Sequence, residues 1–319
     1  MKYHTENIVK KNVNFGFIKF ANHKRFIYAA RQTYENASNK SNLHFHDFAQ
    51  VWYCYGGSYT HIIEGETHHC TKGSLCIIPP GTRHDVVYGE DYVDILWMDI
   101  HWDMLLESSP EKWINWIVNL YWPAFAPEMN HSFSYYTMLE GESQTVAEEC
   151  LDWIDLLKFS PQAFAQNEQI YEKIERLFSL PEFAISEKYR NKAVQIAQTQ
   201  LMPIMRIVSY LNNHFPEKIK EDVLLQEAGI SRRGMYRYFE RIMAVTYSNY
   251  LQSLRVRHVY IYLRTSTYSL AYISDACGFC DVRYMSRVFK SYIGESPQSR
   301  RKGLEEHYRQ KRLEQMKNK

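Results

Sequence analysis

Two textures of apolar and polar residues divide the chain. From about residue 15 to 105, short apolar runs rich in Tyr, Phe, Val, Ile and Trp alternate with polar positions. Gly56-Gly57, Gly65, Gly73 and Pro79-Pro80-Gly81 punctuate them, as expected for many short strands of a sandwich or barrel. From about 110 the period becomes helical, with apolar faces over 111–120, 144–159 and 167–177. In the second of these, Val146, Cys150, Leu151, Trp153, Ile154 and Leu157 form a stripe that could pack on its own domain or on a second copy of the chain. From about 200 the pattern stays helical, with a stop at Asn212-Asn213-His214-Phe215-Pro216 and a charged tail from Gly303. The expectation is an α+β protein of two domains: a sheet domain over 1–108, a helical linker or dimerisation region over 109–195, an all-α domain over 196–302, and the tail over 303–319.

The helical end contains a repeat. Ser231, Met235, Arg237, Phe239, Ala244 and Thr246 align with Asp281, Met285, Arg287, Phe289, Gly294 and Ser296. Ser231 and Asp281 suit the N-cap of a helix, and each follows a turn containing glycine, Glu227-Ala228-Gly229-Ile230 and Ala276-Cys277-Gly278-Phe279. Helix, glycine turn and capped helix make a helix-turn-helix, here twice over. Met235 with Phe239, and Met285 with Phe289, sit four apart and would face a core. Arg233, Tyr236, Arg237 and Arg241 project elsewhere on the first helix; Arg283, Ser286, Arg287 and Lys290 do so on the second. Arginine can pair in bidentate fashion with guanine in a major groove. A connecting helix over about 247–263 would hold two such readers at the roughly 34 Å spacing of successive grooves.

Charge agrees with that division. Residues 1–200 carry 17 Lys and Arg against 25 Asp and Glu; residues 201–319 carry 21 against 11. The basic part favours phosphate backbones and the acidic part is repelled by them. Neither a secretory leader nor a run long enough to span a membrane is visible, so a cytoplasmic location is expected. Six scattered cysteines read as free thiols, and the isolated Cys277-x-x-Cys280 has no second ligand pair of zinc-finger spacing. No Ser/His/Asp arrangement, P-loop or dinucleotide fingerprint marks an enzyme.

Residues from about 204 to 301 resemble the C-terminal domain of AraC/XylS-type regulators. The strongest match is Ile273-Ser274-Asp275-Ala276-Cys277-Gly278-Phe279-Cys280-Asp281, then Tyr284-Met285-Ser286-Arg287-Val288-Phe289-Lys290, then Gly294-Glu295-Ser296-Pro297. The resemblance implies that Arg233, Tyr236 and Arg237, and Val282, Arg283 and Arg287, lie where the family contacts DNA. With neighbouring Arg232 and Ser286, they are the candidate DNA-binding residues. The chain departs from the family at Leu225 and Ser274 (usually alanine), Gly234 (tyrosine), Ala244 (glycine) and Met285 (phenylalanine). Gly234 costs its helix about 1 kcal/mol relative to alanine.

The strand region also resembles the cupin β-barrel. His44-Phe45-His46, Gln50 and Gly57 match its first motif with glutamine in place of the usual glutamate; Gly73, Pro79-Pro80-Gly81 and His84 match the spacing of the second. His44, His46 and His84 could supply nitrogen ligands and Gln50 a weak fourth. The carboxylate of cupin enzymes is absent, so no metal or other cofactor is expected. Trp52, Tyr53, Tyr55, Tyr59, Tyr88, Trp97 and Trp102 make the segment aromatic, and strand alternation sends about half of them inward. The candidate effector residues are His44, His46, Gln50, Tyr55, His84 and Trp97, and an uncharged polar effector such as a sugar suits them. The function expected from both resemblances is a ligand-responsive transcription regulator, an activator that touches RNA polymerase and self-associates as a homodimer. The alternative is a metal-dependent cupin enzyme with a helical appendage.

Overall fold

The computed structural model describes residues 27–34, 43–46, 48–101, 103–106, 109–125, 134–157, 167–243, 245–303 and 306. The strand region before residue 27, Trp102, Ala244 and the tail beyond residue 306 lie outside the described residues.

Six strands form one antiparallel sheet: β1 (Ile27–Tyr34), β2 (Ala49–Ile63), β3 (Glu66–Thr71), β4 (Ser74–Ile78), β5 (His84–Ile100) and β6 (Tyr136–Met138). Their order is β1-β5-β2-β4-β6, with β3 also paired to β2. The expected barrel is thus a sheet in which, among the described strands, no ladder closes β1 onto β6. Its spine is the long β2–β5 ladder, which runs from Ala49 opposite Ile100 to Ile63 opposite His84.

Gly56-Gly57 is not a turn between strands. It is a bulge inside β2, with register shifts on either side. Gly57 has φ 69°, and a Cβ there would lie 1.8 Å from the Tyr92 carbonyl oxygen, so only glycine fits. The extra residue changes which parity faces inward. Before the bulge the inner face takes Gln50, Trp52 and Cys54; after it, Tyr59, His61 and Ile63. These join Cys70, Cys76, Ile78, Val86, Val93 and Ile95 in one buried core.

Tyr53 and Tyr55 fall on the opposite face of β2, against α3 (Gly141–Leu157). The Tyr53 hydroxyl donates to Glu148 at 2.9 Å and that of Tyr55 to Asp152 at 2.6 Å. Arg31 on β1 lies 3.7 Å from the Tyr55 ring centroid and donates to both Asp94 oxygens, at 2.8 and 3.1 Å. The α3 stripe is used within this body: Cys150, Leu151 and Ile154 are buried, and α3 packs on α4 (Asn167–Phe178) and β1.

The helices between sheet and repeat are α1 (Asp103–Leu106), α2 (Pro110–Tyr121), α3, α4, α5 (Glu187–Ile196) and α6 (Met202–His214). A tight turn, Trp122–Ala124, follows α2, and a π-helical turn, Ala197–Leu201, joins α5 to α6. Helix α6 ends at His214, within the expected stop. The repeat supplies α7 (Glu221–Ala228), α8 (Arg232–Met243), the connector α9 (Tyr247–Thr265), α10 (Leu270–Ala276) and α11 (Val282–Ile293).

The described chain divides into two compact bodies. One holds the sheet, the helices through Ser209, and Leu224–Val245; the other holds Tyr210–Val223 and the chain from Thr246. In the second, α9, α10 and α11 close over Val256, Val259, Ile273, Cys277, Phe279, Met285, Val288 and Phe289. Arg255 ties it to the preceding turn by donating to the carbonyls of Phe215 (2.8 Å) and Glu217 (2.9 Å). Among the described residues, no helix is long and apolar enough to cross a membrane.

Candidate functional site

The two capped helices are built alike and embedded differently. In α11, an Asp281 carboxylate oxygen accepts from the Tyr284 backbone N–H at 2.7 Å, which holds that carboxyl below its usual range. At the other end Gly294 takes φ 87° and its N–H donates to the Lys290 carbonyl. Met285, Val288 and Phe289 are buried. Arg283 and Arg287 stand exposed, with Val282 and Ser286 half-buried beside them. The Arg287 guanidinium lies 5.3 Å from the Tyr284 ring centroid, a cation–π contact. The turn before α11 depends on Gly278, where φ is 73° and a Cβ would sit 2.4 Å from the Pro216 carbonyl oxygen.

In α8 the Ser231 hydroxyl accepts from the Gly234 N–H at 3.2 Å. Met235 and Phe239 are buried, and Arg232, Arg233, Tyr236 and Arg237 are exposed. Arg237 donates to the Tyr238 hydroxyl at 2.6 Å. A cleft beside this face is lined by Thr199, Ile230, Ser231, Arg233, Gly234, Arg237 and Tyr238. Arg241 does not share the open face expected of it. It is half-buried and donates to the Ala124 carbonyl at 2.8 Å and to Gln200.

The inner face of the sheet gathers a chain of polar side chains. His46 Nδ1 lies 2.8 Å from the Phe48 carbonyl, which can only accept, so that nitrogen carries hydrogen. His84 Nε2 lies 3.1 Å from His46 Nε2, and His61 Nε2 lies 3.0 Å from His84 Nδ1. Protons directed from His61 to His84 to His46 satisfy these contacts with all three rings neutral. Burial pushes His61 down to about 3 and His84 well below the ordinary histidine range. Beside this chain, Gln50 donates to Asp99 at 2.6 Å and accepts from Trp52 Nε1 at 2.5 Å; its carbonyl oxygen lies 3.3 Å from His46 Nε2, which carries no proton in that arrangement. Burial raises Asp99 to about 7.

Of the expected effector residues, His44, His46, Gln50 and His84 come together: the His44 ring lies 4.3 Å from that of His84, centroid to centroid, at a tilt of 44°. Trp97 joins them through its stack on Trp52. Tyr55 lies on the other face. His61, Asp99 and Trp52 belong to the cluster and escaped the motif reading; His61 becomes visible only once the bulge is counted in the strand parity. Among the described residues, no group of three or more His, Cys, Asp or Glu side chains is arranged to hold a metal ion. In the Cys277-x-x-Cys280 segment the first thiol is buried in the α9–α11 core, pushed up to about 12, while the second is exposed.

A pair of helix-turn-helix units behind a ligand-binding sheet defines a sequence-specific DNA-binding transcription regulator. Comparison with known proteins agrees on both parts. Residues 224–303 match the model described as a helix-turn-helix domain, and residues 27–109 match the AraC-like ligand binding domain. The chain belongs to the AraC family of transcription regulators. It is 20% identical over 262 residues to the transcriptional activator RhaS of Escherichia fergusonii, covering 82% of this chain and 87% of that protein. The Salmonella typhimurium RhaS is 21% identical over 267 residues, with the same two coverages. Among solved structures, ToxT from Vibrio cholerae, bound to (E)-4-(8-methylnaphthalen-1-yl)but-3-enoic acid, shares the fold with a TM-score of 0.50. It is 13% identical, and the match covers 88% of this chain and 100% of that one.

Proposed function

We propose that the protein is a ligand-responsive transcription activator whose two capped helices each read one half of a DNA site. The observation that carries this reading is the pairing of a buried Met/Phe face with exposed arginines in both α8 and α11. Arg232, Arg233, Tyr236 and Arg237 would contact one half-site, and Val282, Arg283, Ser286 and Arg287 the other. Base readout falls to the arginines, while the helix N-termini suit phosphates. The activator role is supported by the two RhaS relatives, both named transcriptional activators. Contact with RNA polymerase, homodimerisation and a cytoplasmic location complete the reading; exposed Leu156 on α3 is an apolar group open to a second copy.

The effector site in this proposal is the inner face of the sheet at His44, His46, Gln50, His84 and Trp97, joined by His61 and Trp52. His61 and His84 are buried and held below the ordinary histidine range, and Trp52 and Trp97 bring apolar rings beside them. This supports an uncharged effector with polar groups and an apolar face, such as a sugar. Tyr55 serves the attachment of the sheet to α3. The test is binding of the full-length chain to DNA selected from random duplexes, across a salt series. The expected result is one preferred sequence and an affinity that falls steeply with salt. Binding without sequence preference would overturn the reading.

A further inference from the structure

Two thiols of the sheet body lie against each other. Cys70 on β3 and Cys76 on β4 have their Sγ atoms 3.6 Å apart in the buried core, on either side of the Lys72-Gly73 turn. The other thiols are engaged elsewhere or stand alone. Cys54 donates to the carbonyls of Gly56 and Gly57 in the bulge, at 3.5 and 3.9 Å. Cys150 is buried in α3, Cys277 is buried in the α9–α11 core, and Cys280 is exposed. Within the pair, the Cys76 thiol donates toward Cys70, which holds Cys70 below the ordinary thiol range and pushes Cys76 well above it. One sulfur is thus nearer a thiolate and the other stays a thiol, the division that disulfide formation uses. Directly across the ladder from Cys70 stands Tyr59, whose buried hydroxyl has no hydrogen-bond partner among the described residues. Its proton is available to an anionic sulfur or to an oxygen added to that sulfur. Both thiols are buried, and β3 supplies the access. Among the described strands β3 pairs with β2 alone, so it is an edge, with Glu66, Thr67 and His69 exposed. An edge strand opens locally at lower free energy than the core, and opening β3 uncovers Cys70.

We infer that Cys70 and Cys76 are a redox-active dithiol that hydrogen peroxide converts to a disulfide, a covalent modification site within the sheet. The Cys70 thiolate attacks one peroxide oxygen; the O–O bond breaks, Cys70 becomes a sulfenic acid, and the other oxygen takes up a proton and leaves as water. The Cys76 sulfur then bonds to the Cys70 sulfur as the S–O bond breaks, and that oxygen leaves with the Cys76 proton as a second water. Two thiols and one peroxide give one disulfide and two waters; the sulfurs are oxidised and the peroxide oxygens reduced. The sulfurs close by about 1.5 Å to reach bonding distance. The bridge ties the edge strand β3 to β4, which pairs with β2 on the other side of the bulge. In a reducing compartment such a bond is transient, as in redox sensing, and is not a permanent staple.

The test uses the full-length chain carrying Cys280→Ser, which removes the exposed thiol, with hydrogen peroxide as the probe. Trypsin cuts after Lys72, so the two cysteines fall on separate peptides unless a disulfide joins them. The expected result is the loss of two free thiols, the appearance of joined Cys70 and Cys76 peptides, and full reversal by dithiothreitol. Amide hydrogen exchange in β3 is expected to slow by about tenfold in the oxidised chain. Adding Cys70→Ser or Cys76→Ser abolishes the joined peptides, and adding Cys54→Ser leaves them. With Cys76→Ser, dimedone traps a sulfenic acid at Cys70; with Cys70→Ser it traps none at Cys76. Thiols that stay reduced in the native chain, a joined pair that forms only in denaturant, or Cys54 joined to either partner would overturn the assignment. Should the added serine variants fail to fold, the thiol count and peptide map of the Cys280→Ser chain decide.

Discussion

The helices α8 and α11 are copies of one design in two settings. Each has an N-cap oxygen, a buried Met/Phe pair four residues apart, and arginines on the open side. The second copy lies in the body that holds Tyr210–Val223 and the chain from Thr246, with a charged cap at 2.7 Å, a left-handed glycine at its C-terminus and a glycine turn pressed against Pro216. The first has a hydroxyl cap at 3.2 Å, a glycine within its first turn, and an arginine spent on the body of the sheet. Identical patterning thus yields a preorganised reader in one place and a tethered one in the other.

The largest expected effect probes the turns. Gly278→Ala places a Cβ 2.4 Å from the Pro216 carbonyl oxygen at a left-handed residue, and a loss on the order of 3 kcal/mol of stability is expected. Gly229→Ala, at φ 66° with nothing within 4 Å, costs only its backbone conformation, about 1 kcal/mol. Equal melting temperatures for the two variants would erase the contrast between the copies. On DNA, Arg287→Ala is expected to lower specific affinity by about 1–3 kcal/mol with unchanged thermal unfolding. Arg237→Ala is expected to lose less, because a hydroxyl cap at 3.2 Å and a glycine in the first turn hold α8 less firmly than the charged cap holds α11; the reverse order in a titration would assign the roles the other way round.

Within the sheet body, pH acts on two kinds of buried group. Asp99 is raised to about 7 in the sheet body, so its contribution is present in acid and is lost as pH rises through 7. His61 and His84, lowered by burial, act oppositely: they stabilise above the unfolded histidine range, and that stability is lost as pH falls below about 6.5. Asp99→Asn keeps an acceptor for Gln50 and cannot ionise. Relative to wild type, it is expected to gain about 2 kcal/mol more at pH 8 than at pH 5.5, read by denaturant unfolding. An equal gain at both values would place the ionisation elsewhere. The smallest effect separates the caps: Asp281→Ala is expected to raise hydrogen exchange in the first turn of α11 more than Ser231→Ala does in α8.

Much of this was legible in the sequence because it is local. Caps, glycine turns and apolar periodicity declare themselves within a dozen residues, and α9, α10 and α11 form where their pattern places them. The inner face of the sheet was half legible. The cupin-like spacing identified His44, His46, Gln50 and His84, which do converge. Tyr55 entered the group from the aromatic run, although plain alternation from Gln50 places it on the other face, and His61 was missed because nothing in the pattern distinguishes a glycine pair at a turn from one at a bulge. That bulge sets the strand parity, and the parity decides that His61 joins the cluster. The role of Arg241 was illegible for a different reason: its partners lie 117 and 41 residues away, and no local pattern reports such a contact.

The central claim is that two arginine-bearing helices read separate parts of one DNA site. Hydroxyl-radical footprinting of the full-length chain on its selected duplex, with Arg237→Ala and Arg287→Ala alongside, tests it most directly. The account expects two protected tracts about one helical turn apart, each weakened by a different one of the two substitutions. A single tract, or two tracts that fade together in either variant, would contradict it.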